Sequence, residues 1–298
     1  MTKLLDPKND VVFQKLFGMK KHKHILISFL NSILNLTGKN AIKEVEFEEK
    51  HLDVSLISSE KLSILDLHVT TESNMNVNVE IQLINQYNMI KRTIFYMAKM
   101  LLSQLKKGED YSCLNRTVTI NILNFNYLEG KNFIKNYGLF EKETKESLTD
   151  LLEFIFIELP KFKERDKFIN KNKEYNEKLY KWLTFLSNPT GKEIEEFMKT
   201  DGEIKEAMDV LYKISGDKEA IMLAEMREKA MMDEQSRFNG AKKEGAKEMI
   251  LDNLKELGNV SQNLINLINK QDNMDVLKSW NKIAVIAESL DDFEDKIK

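Results

Sequence analysis

Cysteine is almost missing: Cys113 is the single one in 298 residues. A lone cysteine excludes an internal disulfide framework and fits a reducing cytoplasm. The four histidines complete no Cys/His spacing of the zinc type. Three prolines and 11 glycines are few enough to favour long helices over many tight turns. Arginine is scarce as well, five residues against 40 lysines. No uninterrupted apolar run approaches a membrane span, and the opening Met-Thr-Lys-Leu-Leu-Asp-Pro-Lys lacks a signal-peptide core. The expected setting is the cytoplasm, with no membrane partner. There is no glycine-rich phosphate loop and no Gly-x-Ser-x-Gly elbow. The net charge of −3 gives no global argument for nucleic acid. Residues 1–130 carry 16 basic and 14 acidic side chains, the remainder 29 and 34, a mild asymmetry.

What is present is an ordinary globular composition, 42% hydrophobic and 31% charged, long enough for one large or two modest domains. Its organising stretch is 61–84. Two apolar-rich runs, Leu62–Val69 and Val77–Ile84, flank a polar turn at Ser73-Asn74-Met75-Asn76 and read as a β-hairpin. Side chains alternate along a strand, so Val77, Val79, Ile81 and Leu83 share one face while Glu80 and Gln82 share the other. A turn centred near Ser73 sets Asp66 opposite Glu80, with Cβ atoms roughly 4.5–5.5 Å apart. Two opposed carboxylates either tolerate repulsion or hold a cation between them. Oxygen-only ligation suits Mg²⁺ or Mn²⁺. His68 is expected on the face of Asp66, as a polar neighbour or as a group that orients water. On spacing alone a polar strand face in solvent is the better explanation of Asp66, Glu80 and Gln82.

Lys61-Leu62-Ser63-Ile64-Leu65-Asp66 followed by Glu80-Ile81-Gln82 resembles the recombination-promoting nuclease/transposase family of the PD-(D/E)XK nuclease superfamily. Further stretches agree in order along about 1–245: Asn9-Asp10-Val11-Val12-Phe13, Arg92 with Tyr96, Gly108-Glu109-Asp110-Tyr111, Leu159-Pro160-Lys161-Phe162 and Trp182-Leu183-Thr184-Phe185-Leu186. The resemblance implies an α/β fold, a restriction-endonuclease-like core whose mixed central sheet is flanked by helices, followed by a helical C-terminal region. It implies a Mg²⁺- or Mn²⁺-dependent DNA endonuclease tied to recombination or mobile elements. Asp66 and Glu80 would be the metal ligands, with the Ile81 carbonyl, and Gln82 stands where the namesake motif has lysine. Glutamine carries no charge at any pH but donates and accepts hydrogen bonds. Gln14 also departs from the usual Phe-Lys continuation. A different class keeps the fold without the chemistry: a catalytically inactive nuclease-fold protein that binds nucleic acid or a protein partner. A complete transposase is weaker, since no DNA-recognition module is visible.

In chain order, Asp10 is read as the cap of a short helix ending at Phe17-Gly18, or as an acid belonging to the site. Ile25, Leu26, Phe29, Leu30, Ile33 and Leu34 mark a second helix. His22, His24 and His51 are read as solvated. Val45 and Phe47 alternate with glutamates as a strand, and His51–Ser58 is a candidate partner for it. From Gln86 to Lys107 the stripe Tyr87, Ile90, Ile94, Ala98, Leu101, Leu102 and Leu105 predicts an amphipathic helix stopped by Gly108. Its basic residues meet no acid, and Arg92 and Tyr96, four apart, share one face. That pair either holds a phosphate at the site mouth or forms a solvated basic face. Thr117–Phe125, Phe133–Phe140 and Leu151–Leu159 read as strands, the last stopped by Pro160. Helices follow, with Thr190 and Glu193 as a capping box. The expected division is a nuclease-like core at 1–160, a helical extension at 161–239, a charged Gly-spaced linker at 240–249 and a small helical tail at 250–298. Helices 203–238 either pair two subunits as a homodimer or pack within the chain.

Overall fold

The computed structural model describes residues 3–47, 67–164 and 176–297. The chain divides into two compact units, Met1–Glu228 and Lys229–Lys298. The first opens with helices α1 (Asp10–Phe17) and α2 (Lys23–Leu34), then strands β1 (Val45–Phe47), β2 (Leu67–Thr71) and β3 (Asn76–Gln82). Helix α3 (Met89–Ser103) and strands β4 (Thr117–Leu123), β5 (Ile134–Phe140) and β6 (Ser147–Glu158) follow. Helices α4 (Leu159–Glu164), α5 (Glu177–Ser187), α6 (Lys192–Thr200), α7 (Gly202–Gly216) and α8 (Lys218–Leu257) come next.

Among the described residues six strands form one mixed sheet in the order β1-β2-β3-β4-β6-β5. β3, β4 and β6 run parallel at its centre, and the other pairings are antiparallel. In the hairpin Leu67 pairs with Val79, His68 with Asn78, Val69 with Val77 and Thr70 with Asn76. This is the register expected from a turn centred at Ser73. Asn74 supplies the left-handed turn residue at φ 60°, a conformation asparagine tolerates better than most residues. The expected strand at His51–Ser58, together with Lys61, Asp66 and His51 themselves, lies outside the described residues.

Period-two alternation gives the sheet two different faces. Val77, Val79, Ile81, Val118, Ile120, Ile122, Ile155 and Ile157 form the apolar one. α1, α2, α5 and α7 complete the core with it, and Trp182, Phe13, Phe17, Phe29 and Phe185 are its largest fully buried side chains. α2 buries the apolar positions predicted for it, except Leu34, which is half-buried. α7 turns Ile204, Ala207, Leu211 and Ile214 into this same core. The opposite face carries Asn78, Glu80, Thr119 and Asn121, all buried and covered by α3.

α3 seats the reverse of its predicted stripe. Met89, Thr93, Met97 and Met100 point inward, whereas Ile90, Ile94 and Leu102 remain 47%, 53% and 79% exposed. The surface beneath decides this. It presents a buried carboxylate and a buried amide that need polar partners, and Thr93 Oγ1 donates to Asn121 Oδ1 at 2.8 Å. A half-exposed aliphatic forgoes only part of roughly 1.5–3 kcal/mol, while a buried charge robbed of its partner costs roughly 3–5 kcal/mol. The helix also stops at Ser103 rather than at Gly108, which lies in a later turn.

Two caps differ from expectation. Asn9, not Asp10, caps α1, accepting from the Val11 N–H at 3.1 Å. Its side chain also donates to the Ala224 carbonyl at 3.2 Å. Asn9→Ala is expected to lower stability by about 1–2 kcal/mol, the loss of a cap and a buried hydrogen bond, measured by urea unfolding. The Thr190–Glu193 capping box does not form: Gly191 is the N-cap of α6 and makes no side-chain cap bond. Glu193 instead accepts from the Tyr180 hydroxyl at 2.6 Å, a partner on a different helix. Pro160 falls in the first turn of α4, where its missing N–H costs nothing. His24 is exposed and pairs with Glu206 at 2.7 Å. His22 is half-buried, and burial first, then Lys21, lowers its pKa.

The second unit has its own small core. Ile250 and Leu254 of α8 meet Leu264 and Ile268 of α9 (Gln262–Lys270), Leu277 and Trp280 of α10 (Met274–Ile286), and Phe293 of α11 (Leu290–Lys296). Ser261, Asn273 and Ser289 cap the three short helices through their side chains. The segment 240–249 lies within the continuous helix α8, and a Cβ at Gly240 or Gly245 would meet no neighbouring atom.

Candidate active site

Glu80 lies near the end of β3, 1% exposed. The expectation of a solvent-facing polar strand therefore does not hold. Its register partner across the parallel ladder is Asn121 of β4, which is held in turn by Thr93. The short connection from β3 into α3 turns sharply at Tyr87, φ 61°, with the Tyr87 N–H bonded to Asn85 Oδ1 at 2.8 Å. A non-glycine residue in that region stores strain, a feature that clusters at functional sites. The turn directs α3 back across the polar face of the sheet.

Arg92, one turn into α3, pairs through Nη2 with Glu80 Oε1; the arginine side chain is 15% exposed. Gln82 Nε2 donates to the same Glu80 oxygen at 2.6 Å. The arginine also lies over the Tyr96 ring, 5.7 Å from guanidinium carbon to ring centroid, a cation–π distance. Four of the predicted site residues, Glu80, Gln82, Arg92 and Tyr96, thus occupy one place. The fifth, Asp66, lies outside the described residues. His68 shares this face, since its register partner Asn78 alternates with Glu80. Among the described residues no three His, Cys, Asp or Glu side chains gather as a metal cluster.

These features sit in a mixed sheet whose parallel pair β3–β4 is bridged by α3, with an acid and an amide two residues apart at the strand end. A family model described as PD-(D/E)XK nuclease family transposase matches residues 7–241. The chain belongs to that family. Comparison with curated proteins and with solved structures gives no match. The sheet flanked by helices is the α/β arrangement of a PD-(D/E)XK fold. Membership carries a nuclease- or transposase-like function, a nucleic-acid substrate and a family habit of using divalent metal. No described helix is long and apolar enough to cross a membrane.

Within the nuclease-family domain, Asp10 has a structural partner. Its carboxylate pairs with Arg227 of α8, and burial, outweighing that arginine, raises its pKa. Gln14, the departure from the family pattern, packs inward with Oε1 buried and no hydrogen-bond partner among the described residues. A second buried acid escaped the sequence reading. Glu158 ends β6, 1% exposed, and accepts from the Tyr127 and Leu128 N–H groups at 2.6 and 3.1 Å. Lys161 neutralises it at 2.6 Å. The parallel register aligns Gln82, Leu123 and Glu158 along the strand ends, so Glu158 ties the 127–128 loop to the same edge of the sheet. The Glu-Leu-Pro-Lys run was the available signal, but only the register shows where it lies.

The chemistry of the site fits a hard cation at Glu80. The donors are carboxylate and amide oxygens, and a guanidinium already stands at the carboxylate as a cation of the protein's own.

Proposed function

We propose that this chain is a metal-dependent DNA endonuclease acting in recombination or on mobile elements. The observation that carries the reading is Glu80, buried beside Gln82 at a strand end of a nuclease-family domain and matched there by a cation. Asp66 and Glu80 are the residues that would hold Mg²⁺ or Mn²⁺. The register supports the pairing, because Leu67 and Val79 are partners and Asp66 and Glu80 are their respective chain neighbours. Such an ion, when bound, acidifies water and neutralises charge on the phosphate. Gln82 holds Glu80 by its amide N–H and presents its carbonyl to orient water. Arg92, which lies over Tyr96, would supply the positive charge that Gln82 lacks and meet a DNA phosphate.

Supercoiled plasmid incubated with Mg²⁺ or Mn²⁺ is expected to be nicked or linearised, and EDTA is expected to abolish this. Gln82→Ala should slow cleavage by about 10–100-fold, the effect of one hydrogen bond to a charged group. DNA binding without cleavage under either ion would transfer the assignment to a nuclease-fold binding protein, the reading that the uncharged Gln82 favours.

A further inference from the structure

Glu80 carries a counter-cation from within the chain, and that has a consequence for how the site is loaded. The carboxylate is 1% exposed, so water does little to shield it, and one oxygen already receives both Arg92 Nη2 and Gln82 Nε2. A divalent ion and a guanidinium compete for the same carboxylate, since each satisfies the same charge and the two repel one another at close range. The arginine is well placed to yield. Its side chain is long and partly exposed, Nη1 lies 3.5 Å from Gln86 Oε1, and Tyr96 offers a ring face that holds a guanidinium without a carboxylate. Lys91 and Lys99 are exposed on the same helix, and no acidic residue occurs between Gln86 and Lys107.

We propose that Arg92 is a displaceable internal counter-ion: a divalent cation takes its place on Glu80, and the released guanidinium, retained over Tyr96, becomes the ligand for the DNA phosphate. The proposal rests on the metal-nuclease reading above. It makes metal entry and phosphate capture one exchange. A guanidinium suits both positions because its planar fork binds carboxylate and phosphate alike. Arg92 balances the charge of Glu80 before the exchange, and the exchange readies the site for substrate.

The test is Mn²⁺ binding to the full chain without DNA, by isothermal titration calorimetry, for wild type, Arg92→Gln, Arg92→Lys and Glu80→Gln. Far-UV circular dichroism confirms that each variant is folded. Removing the competitor is expected to tighten Mn²⁺ binding by at least about 10-fold, one decade per 1.4 kcal/mol, while plasmid cleavage falls. Arg92→Lys, which keeps the charge but not the fork, should bind with intermediate affinity and also guards against a folding failure of Arg92→Gln. Unchanged or weaker Mn²⁺ binding in both arginine variants would overturn the exchange while leaving the metal-nuclease reading intact, provided Glu80→Gln abolishes binding. Tighter binding with undiminished cleavage would overturn the phosphate half of the proposal. No Glu80-dependent Mn²⁺ binding in any variant would overturn both readings together.

Discussion

Glu80→Gln is expected to reduce divalent-dependent plasmid cleavage by about 10³-fold, the scale seen when a preorganised electrostatic group is lost from a closed site. The substitution keeps shape and leaves an amide oxygen to accept from Arg92, but it removes the charge that binds a cation. Glu80 lies deep, 1% exposed, so bulk water cannot take over its role. The folding consequence is milder than for most buried acids. Arg92 is 15% exposed along its side chain and long enough to carry its head group to solvent. The paired measurement is a time course of supercoiled-plasmid nicking in Mg²⁺ and Mn²⁺ alongside a thermal melt. A folded variant that cuts at the wild-type rate would remove Glu80 from the mechanism. Loss of cutting with a preserved melt would identify it as chemical rather than structural.

Breaking the Asp10–Arg227 pair is expected to produce the largest loss of stability. Arg227→Met strands a carboxylate that is 5% exposed, a change that typically costs about 3–5 kcal/mol. The double variant Asp10→Asn/Arg227→Met should recover most of that, because no uncompensated charge remains. Urea unfolding of a Trp280→Phe background reads the first unit through Trp182, since the chain has two tryptophans. The pH dependence has a definite sign. Burial raises the Asp10 pKa above the ordinary carboxylate value despite the lowering by Arg227. A raised folded-state value means the stability from this group is fully present below the unfolded value and is lost as pH rises through the folded one. Without Arg227 the opposing influence is gone, so the deficit of Arg227→Met should be greater at pH 7 than at pH 5. A deficit independent of pH would show that packing, not charge, is what Arg227 provides.

The pair also joins residues near both ends of the matched family segment. Asp10 and Arg227 are 217 residues apart, and the matched segment, 7–241, includes both. Asn9, bonded to the Ala224 carbonyl, repeats the connection one residue earlier. The Asn9-Asp10 dipeptide was visible as a family stretch. Its reason, clasping α1 to the first turns of α8, was not.

The chain by itself determined what depends on neighbours in sequence. The β2–β3 register followed from a polar turn and period-two alternation, because a one-residue slip would drive Val77, Val79 and Ile81 out of the core. The helical character of α2, α5 and α7 followed from their apolar spacing, and family membership from ordered matches along the chain. Tertiary structure decided which surface each element would face. α3 carries two plausible inward faces, and the buried polar side of the sheet selected the one bearing Thr93 and the methionines. The partners of Asp10, Glu193 and Arg92 were likewise chosen on other elements, a distant one for Asp10 and the neighbouring one for Glu193 and Arg92. For Asp10 and for the Glu80 that Arg92 meets, burial turns a weak surface preference into a requirement for a specific opposite group, and no local pattern encodes where that group will stand.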